Sequence, residues 1–205
     1  MRNRIAIAAL IFSHTLLTPT TGLSQGILVV PNAGFSKDMR SLTSNRWKWG
    51  FNAGVDGYLH VSEIIFVGAR VSYHNWSMDA EGWAEDVLSA STGIQNSSGS
   101  ESVVEVIPSL RIALLPPASP IRIDIQVGGG LIFVSHTEVR IRRSSFFGWE
   151  ESVASARSMV GTGLQAALPI TLASVIEVLP VYTLYAAGGD PYHHIALNVG
   201  VAFNK

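Results

Sequence analysis

The chain contains no cysteine. That excludes a disulfide framework, a thiolate metal centre and a lipid attached through sulfur. Charge is scarce as well: Asp, Glu, Lys and Arg make up 14% of 205 residues, against about 25% in soluble domains. So few charges do not build an ordinary water-facing surface. The formal net charge is −1, which supplies no electrostatic footprint for nucleic acid. Beyond the first two dozen residues, no apolar run approaches the ~20 residues that a transmembrane helix needs.

The one long apolar run is N-terminal. Basic "MRNR" precedes "IAIAALIFSHTLL", and "TPTTGLSQG" follows with Gly22 and Ser24 at −3 and −1 for cleavage after Ser24. This is the layout of a signal peptide. Residues 1–24 are therefore expected to be a signal peptide, and 25–205 a single domain outside the cytoplasm.

What remains alternates with period two. In residues 46–61, Trp47, Trp49, Phe51, Ala53, Val55, Gly57, Leu59 and Val61 occupy one face. Arg46, Lys48, Asn52, Asp56, Tyr58 and His60 occupy the other, with Gly50 and Gly54. Such spacing belongs to a strand and not to a helix. From 120 to 142, Ile121, Ile123, Ile125, Val127, Leu131, Phe133, Val139 and Ile141 oppose Arg122, Asp124, Gln126, His136, Glu138, Arg140 and Arg142. The pattern predicts eight strands, at 26–37, 46–60, 63–77, 101–115, 120–142, 152–168, 172–186 and 192–203. Short connections ("HVSE", "PPAS", "PIT") alternate with mostly longer ones at 38–45, 78–100, 143–151 and "AGGDP". An up-and-down barrel with short periplasmic turns and longer outside loops has this asymmetry.

Alternation alone leaves open which face points outward. A polar face rich in small residues suits the narrow interior of eight strands. Aromatics fall near the predicted outer strand ends (Trp47, Trp49, Tyr73, Trp76, Phe146, Phe147, Trp149 and Tyr185), where an interfacial girdle would stand. Both features favour an apolar exterior. The alternative is a secreted soluble barrel that holds an apolar ligand inside.

With its leader, eight alternating strands, the Glu-Val-x-Pro pattern of "VEVIP" (104–108) and "IEVLP" (176–180), and a last strand "ALNVGVAF", the chain resembles the small bacterial outer-membrane β-barrel family, which includes porin-like and adhesin-like members. The resemblance implies an all-β fold: a closed eight-stranded antiparallel up-and-down transmembrane β-barrel. It also implies the bacterial outer membrane as location, and outer-membrane lipid and the barrel-assembly machinery as partners.

By parity, Glu105 and Glu177 face inward, and Pro108 and Pro180 face lipid. Arg70, Arg111, Arg122, Arg140, Arg142 and Arg157 also have inward parity, so each glutamate is expected to join an internal charge network that plugs the barrel. The prolines are expected to break the ladder at bulges.

Candidate chemistry is sparse. His60, Ser62 and Glu63 in "HVSE" match the residue types of envelope lipid deacylases, but fall on a predicted periplasmic turn, away from the outer leaflet. His193 and His194 after Tyr192 point to opposite faces of a strand and do not readily share an ion. Asp79, Glu81, Glu85 and Asp86 fit no calcium-loop spacing and read as a solvated loop with a short helix over 81–88. Gly128-Gly129-Gly130 lies within a strand, outside the context of a phosphate loop.

The expectation is a non-enzymatic, monomeric outer-membrane barrel with a plugged polar interior and a structural or interaction role. No catalytic, cofactor-binding or metal residue is assigned. Loop 78–100 is the expected contact for an extracellular partner. The alternatives are the soluble ligand-binding barrel and an enzyme modifying envelope lipid.

Overall fold

The computed structural model describes residues 26–39, 47–79, 81–82, 94–115, 119–145, 148–187 and 190–204. The predicted signal peptide lies outside them, as does most of the helix expected over 81–88.

Among the described residues, thirteen strand segments form: β1 (Ile27–Asp38), β2 (Gly50–His60), β3 (Ile65–Ser77), β4 (Ile94–Ser98), β5 (Ser100–Ala113), β6 (Ile121–His136), β7 (Val139–Ser145), β8 (Gly148–Ala154), β9 (Arg157–Ala167), β10 (Ile170–Leu172), β11 (Ile176–Ala187), β12 (Asp190–Val201) and β13 (Phe203–Asn204). β10 prolongs β9 in one register against β6 and β11. β13 likewise prolongs β12 against β1. Eight antiparallel barrel strands result, and the β12–β1 pairing closes the ring. Closure satisfies the edge amides and carbonyls that a bilayer could not hydrate.

The two faces separate cleanly. Phe35, Val55, Val71, Val127, Leu131, Leu164, Leu197 and Val199 are exposed on the outside, whereas Asn32, Asp56, Arg70, Glu105, Arg111, Asp124, Gln126, Gln165, Glu177 and Asn198 are buried inside. A soluble barrel around an apolar ligand would need the reverse.

Three expectations change. The strand predicted over 120–142 stops at His136, and β7 leaves the barrel to form a separate sheet in the order β4-β7-β8. Its phase inverts there: Val139 and Ile141 are buried, and Arg140 and Arg142 are exposed. The 78–100 connection accordingly contains a strand, β4. Second, the turn expected at "PIT" falls later, at Ala173–Val175. The Val175 amide donates to the Leu172 carbonyl at 3.1 Å, and Ala173 and Ser174 have φ of 49° and 60°, the positive pair that tight hairpin turns of type I′ require.

Third, neither proline makes a bulge. The β5–β6 register is the same on both sides of Pro108, from Val106↔Leu131 to Ser109↔Gly128. Opposite Pro180, the ladder lapses between β9 and β10 without a shift. Each missing N–H removes one rung, and the flanking pairs hold the register. Both prolines do face outward, as parity predicts.

Candidate functional site

Inward-facing polar residues of this chain gather in the barrel lumen. They form three groups that follow one another from the short-turn end toward the long-loop end.

Arg111 on β5 occupies the first group. Its Nε donates to Asp124 Oδ2 at 2.6 Å, and its Nη2 to Glu177 Oε2 at 2.6 Å. Asp124 stands on the neighbouring strand β6, but Glu177 is on β11, so the guanidinium spans the lumen. Both carboxylates have further donors: Arg122 Nε to Asp124 Oδ1 at 2.8 Å, and Thr171 Oγ1 to Glu177 Oε2 at 3.2 Å. Arg122 lies over the Phe66 ring at 4.1 Å, and the Tyr58 hydroxyl meets Ser109 Oγ at 3.0 Å. Every charge here is buried except Arg122, which is 25% exposed. Ion pairs taken out of water stabilise only when their remaining lone pairs and protons also find partners. The extra donors to Asp124 and Glu177 meet part of that need, while Glu177 Oε1 and Arg111 Nη1 have no hydrogen-bond partner among the described residues.

In a second group, Asn32 Nδ2 donates to Asp56 Oδ2 at 2.7 Å. Arg70 lies 3.9 Å from the same carboxylate and donates to Asn32 Oδ1 at 3.4 Å.

Glu105 centres the third group, and here the expected partner is wrong. No arginine reaches it among the described residues. Ser72 Oγ and Gln165 Nε2 donate to its Oε2 at 2.8 and 3.1 Å. His74 Nε2 lies 3.5 Å from Oε2, and His194 Nε2 lies 3.2 Å from Oε1. Arg70 is turned to Asp56 instead. Of the six arginines given inward parity, Arg70 and Arg111 are buried and Arg122 is partly buried, but Arg140, Arg142 and Arg157 are exposed. The last three sit at or beyond the point where the predicted strand left the barrel.

Above these groups the lumen becomes apolar. Trp47, Trp76, Val103, Ile107, Ile132, Val134, Val139, Ile141 and Tyr185 form one buried cluster. Three aromatics expected in the outer girdle, Trp47, Trp76 and Tyr185, therefore point inward. Trp49 and Tyr73 do face out, joined by Phe35 and Phe51. Phe146, Phe147 and the Trp149 side chain lie outside the described residues.

The other sequence candidates do not converge on a reaction centre. Ser62 Oγ accepts the Ile65 amide at 3.1 Å as a turn cap, and His60 packs edge-on to Phe66. His193 and His194 take opposite faces, as alternation requires: His193 contacts Tyr182 OH at 3.2 Å outside, and His194 is buried inside. Asp79 Oδ1 accepts the Gly82 amide at 3.5 Å; Glu85 and Asp86 lie outside the described residues. Gly128 and Gly130 press against β5 around Ile107 and Pro108.

The His74–Glu105–His194 cluster was missed in the sequence. Its signal was present, since all three positions have inward parity. The three residues come from β3, β5 and β12, so no spacing along the chain joins them.

A closed ring of eight strands, apolar outside and polar within, defines a transmembrane β-barrel of outer-membrane type. The protein has the fold of a small, closed eight-stranded β-barrel with an apolar outer wall. Among solved structures it is similar to Ail, the attachment invasion locus protein of Yersinia pestis (TM-score 0.47, 13% identity, covering 88% of this chain and 100% of that one). It is also similar to Neisserial surface protein A (0.47, 12%, 86% and 95%) and to the N-terminal β-barrel domain of Pseudomonas aeruginosa OprF (0.41, 9%, 87% and 98%). No protein-family model and no curated protein sequence matches the chain.

Proposed function

We propose that the protein is a non-conducting outer-membrane barrel whose lumen is plugged by its own side chains. It acts through what it displays at the long-loop end, not by transport or catalysis. The carrying observation is Arg111, gripped at 2.6 Å by carboxylates from two separated strands. An eight-stranded interior has only enough width for side chains, and a crosspiece at that level leaves no continuous water path. The β4-β7-β8 sheet and the 78–100 connection form the display, with an extracellular partner as its target. Residues 1–24 serve as the secretion signal, and the mature chain reaches the membrane as a monomer through the barrel-assembly machinery. A non-enzymatic role is supported by the "HVSE" turn, where the Ser62 hydroxyl is committed to backbone amides.

The experiment is conductance of the purified barrel in planar bilayers. The wild type should show no unitary steps, and Arg111→Ala alone should show none either, because the other buried groups and the apolar cluster still fill the lumen. Steady solute-sized conductance by the wild type would make this a pore and end the plugged reading.

A further inference from the structure

β5 and β12 stand four places apart in a ring of eight, so Glu105 and His194 approach each other across the lumen. His74 joins them from β3. The three side chains are 0–1% exposed, and the atoms they offer all lie within 4.8 Å of one another. The His74–Glu105 and His194–Glu105 separations are 3.5 and 3.2 Å. Zinc ligands sit at ~2.0–2.2 Å in a tetrahedron, which places neighbouring donor atoms roughly 3.4 Å apart. The edge from His194 Nε2 to Glu105 Oε1 therefore already matches a coordination sphere, and His74, whose Nε2 lies 3.5 Å from the other oxygen, Oε2, offers its ligand atom within the same 4.8 Å cluster.

The hydrogen bonding points the same way. Neither nitrogen of His74 nor of His194 has a partner in hydrogen-bond geometry, and Glu105 Oε1 has none either. The short N···O approaches are misaligned for a proton between them. Buried polar atoms without hydrogen-bond partners are destabilising. A cation would engage a lone pair on each ring and the idle carboxylate oxygen together.

Supporting contacts hold the donors. Ser72 and Gln165 fix Glu105 through its other oxygen, Oε2, and Gln165 is steadied by Thr183 Oγ1 at 3.3 Å. The Trp76 indole lies nearly parallel to the His74 ring, at 15° and 5.5 Å between centroids. Tyr185 meets the His194 ring edge-on at 5.8 Å. Two imidazole nitrogens with one carboxylate oxygen suit zinc and its neighbours in the first transition row; calcium and magnesium prefer all-oxygen cages.

We propose that His74, Glu105 and His194 bind one divalent transition-metal ion of the zinc type inside the barrel. The ion ties β3 and β5 to β12, bracing opposite walls, and leaves a fourth position for water.

The test uses the full chain without a histidine tag, folded into detergent micelles and stripped by chelator. Cobalt(II) is the probe and zinc the competitor. One cobalt per barrel should bind, with the visible bands of a four-coordinate ion, and equimolar zinc should displace it. Zinc should also raise the temperature at which the compact gel band unfolds. His74→Gln and His194→Gln should each abolish the bands, Gln165→Leu should weaken binding ~10–100-fold as an outer-shell change, and outward-facing His193→Gln should bind as wild type. Absence of stoichiometric binding by the wild type overturns the proposal, as does cobalt binding that survives both ligand substitutions. If those variants do not fold, X-ray absorption of the zinc-loaded wild type decides. Two coordinated imidazoles support the site, and any other count overturns it.

Discussion

Two glutamates in near-identical contexts, "VEVIP" and "IEVLP", end in different chemistry. Parity turns both inward, and that much is readable from the chain, because a strand alternates whatever it pairs with. The partner is not readable, because it comes from across the ring. Glu177 shares Arg111 with Asp124. Glu105 faces two imidazoles, a serine and a glutamine. The consequences of removing them differ accordingly. Glu177→Gln leaves a buried guanidinium with one counter-charge, and breaking a buried pair from one side costs about 3–5 kcal/mol. The compact gel band should then unfold at a clearly lower temperature. Glu105→Gln in the metal-free barrel strands no cation and keeps the shape of the side chain, so its loss should be the smaller one. Glu81→Ala, on an exposed residue, should leave the unfolding temperature unchanged. Equal losses for Glu105→Gln and Glu177→Gln would mean that the lumen does not distinguish an imidazole partner from a guanidinium.

At the level of strands, each of the eight predicted segments lies in the barrel over most of its length, because one buried face imposes a strict period of two. The overrun of the segment predicted over 120–142 shows where that rule stops. Alternation continues from Phe133 to Ile141 in the letters of the sequence, but Thr137 and Glu138 fall between β6 and β7, so the buried face after the break is not the one that pattern extrapolates. A break that leaves the apolar–polar rhythm intact has no signature in composition. The prolines were legible as ladder breaks but not as register-neutral ones, which depends on what stands opposite. For Pro108 that is the Gly128–Gly130 run. A Cβ on Gly130 would lie 2.1 Å from the Val106 carbonyl and 3.0 Å from Pro108 Cδ, so two rigid groups on β5 occupy its space. Gly130→Ala should cost on the order of 1–3 kcal/mol as overpacking. Gly57, where an added Cβ meets nothing within 4 Å, should accept alanine without loss. Thermal unfolding of the two variants side by side checks this; a tolerated Gly130→Ala would show that β5 and β6 can part at the proline.

For the whole molecule, the decisive asymmetries are radial and axial. The radial one sets the solvent. Val127 is 48% exposed near the middle of β6, where the barrel wall should meet hydrocarbon. Val127→Arg should cost ~2–4 kcal/mol if that level is the bilayer midplane, whereas Val127→Leu should be neutral. Refolding yields into lipid vesicles measure the difference, and equal yields would place this wall in water. The axial asymmetry is expected to decide which end meets the outside. At one end the chain turns within a few residues, as at Val61–Ile64 and Ala173–Val175. At the other it builds the β4-β7-β8 sheet and the long 78–100 connection. Crossing the membrane during assembly is expected to leave the short turns on the periplasmic side. An epitope tag should therefore go into 83–93, and not at Ser97, which pairs with Ile141 in the β4–β7 ladder. That tag should be recognised by antibody on intact cells. A tag at Ala118, between β5 and β6, should be recognised only after the outer membrane is opened. Both tags are needed, because a leaky envelope would expose either one, and only the contrast between them reports orientation. Labelling of Ala118 on intact cells with 83–93 silent would mean that the barrel stands inverted and that the elaborated end faces the periplasm.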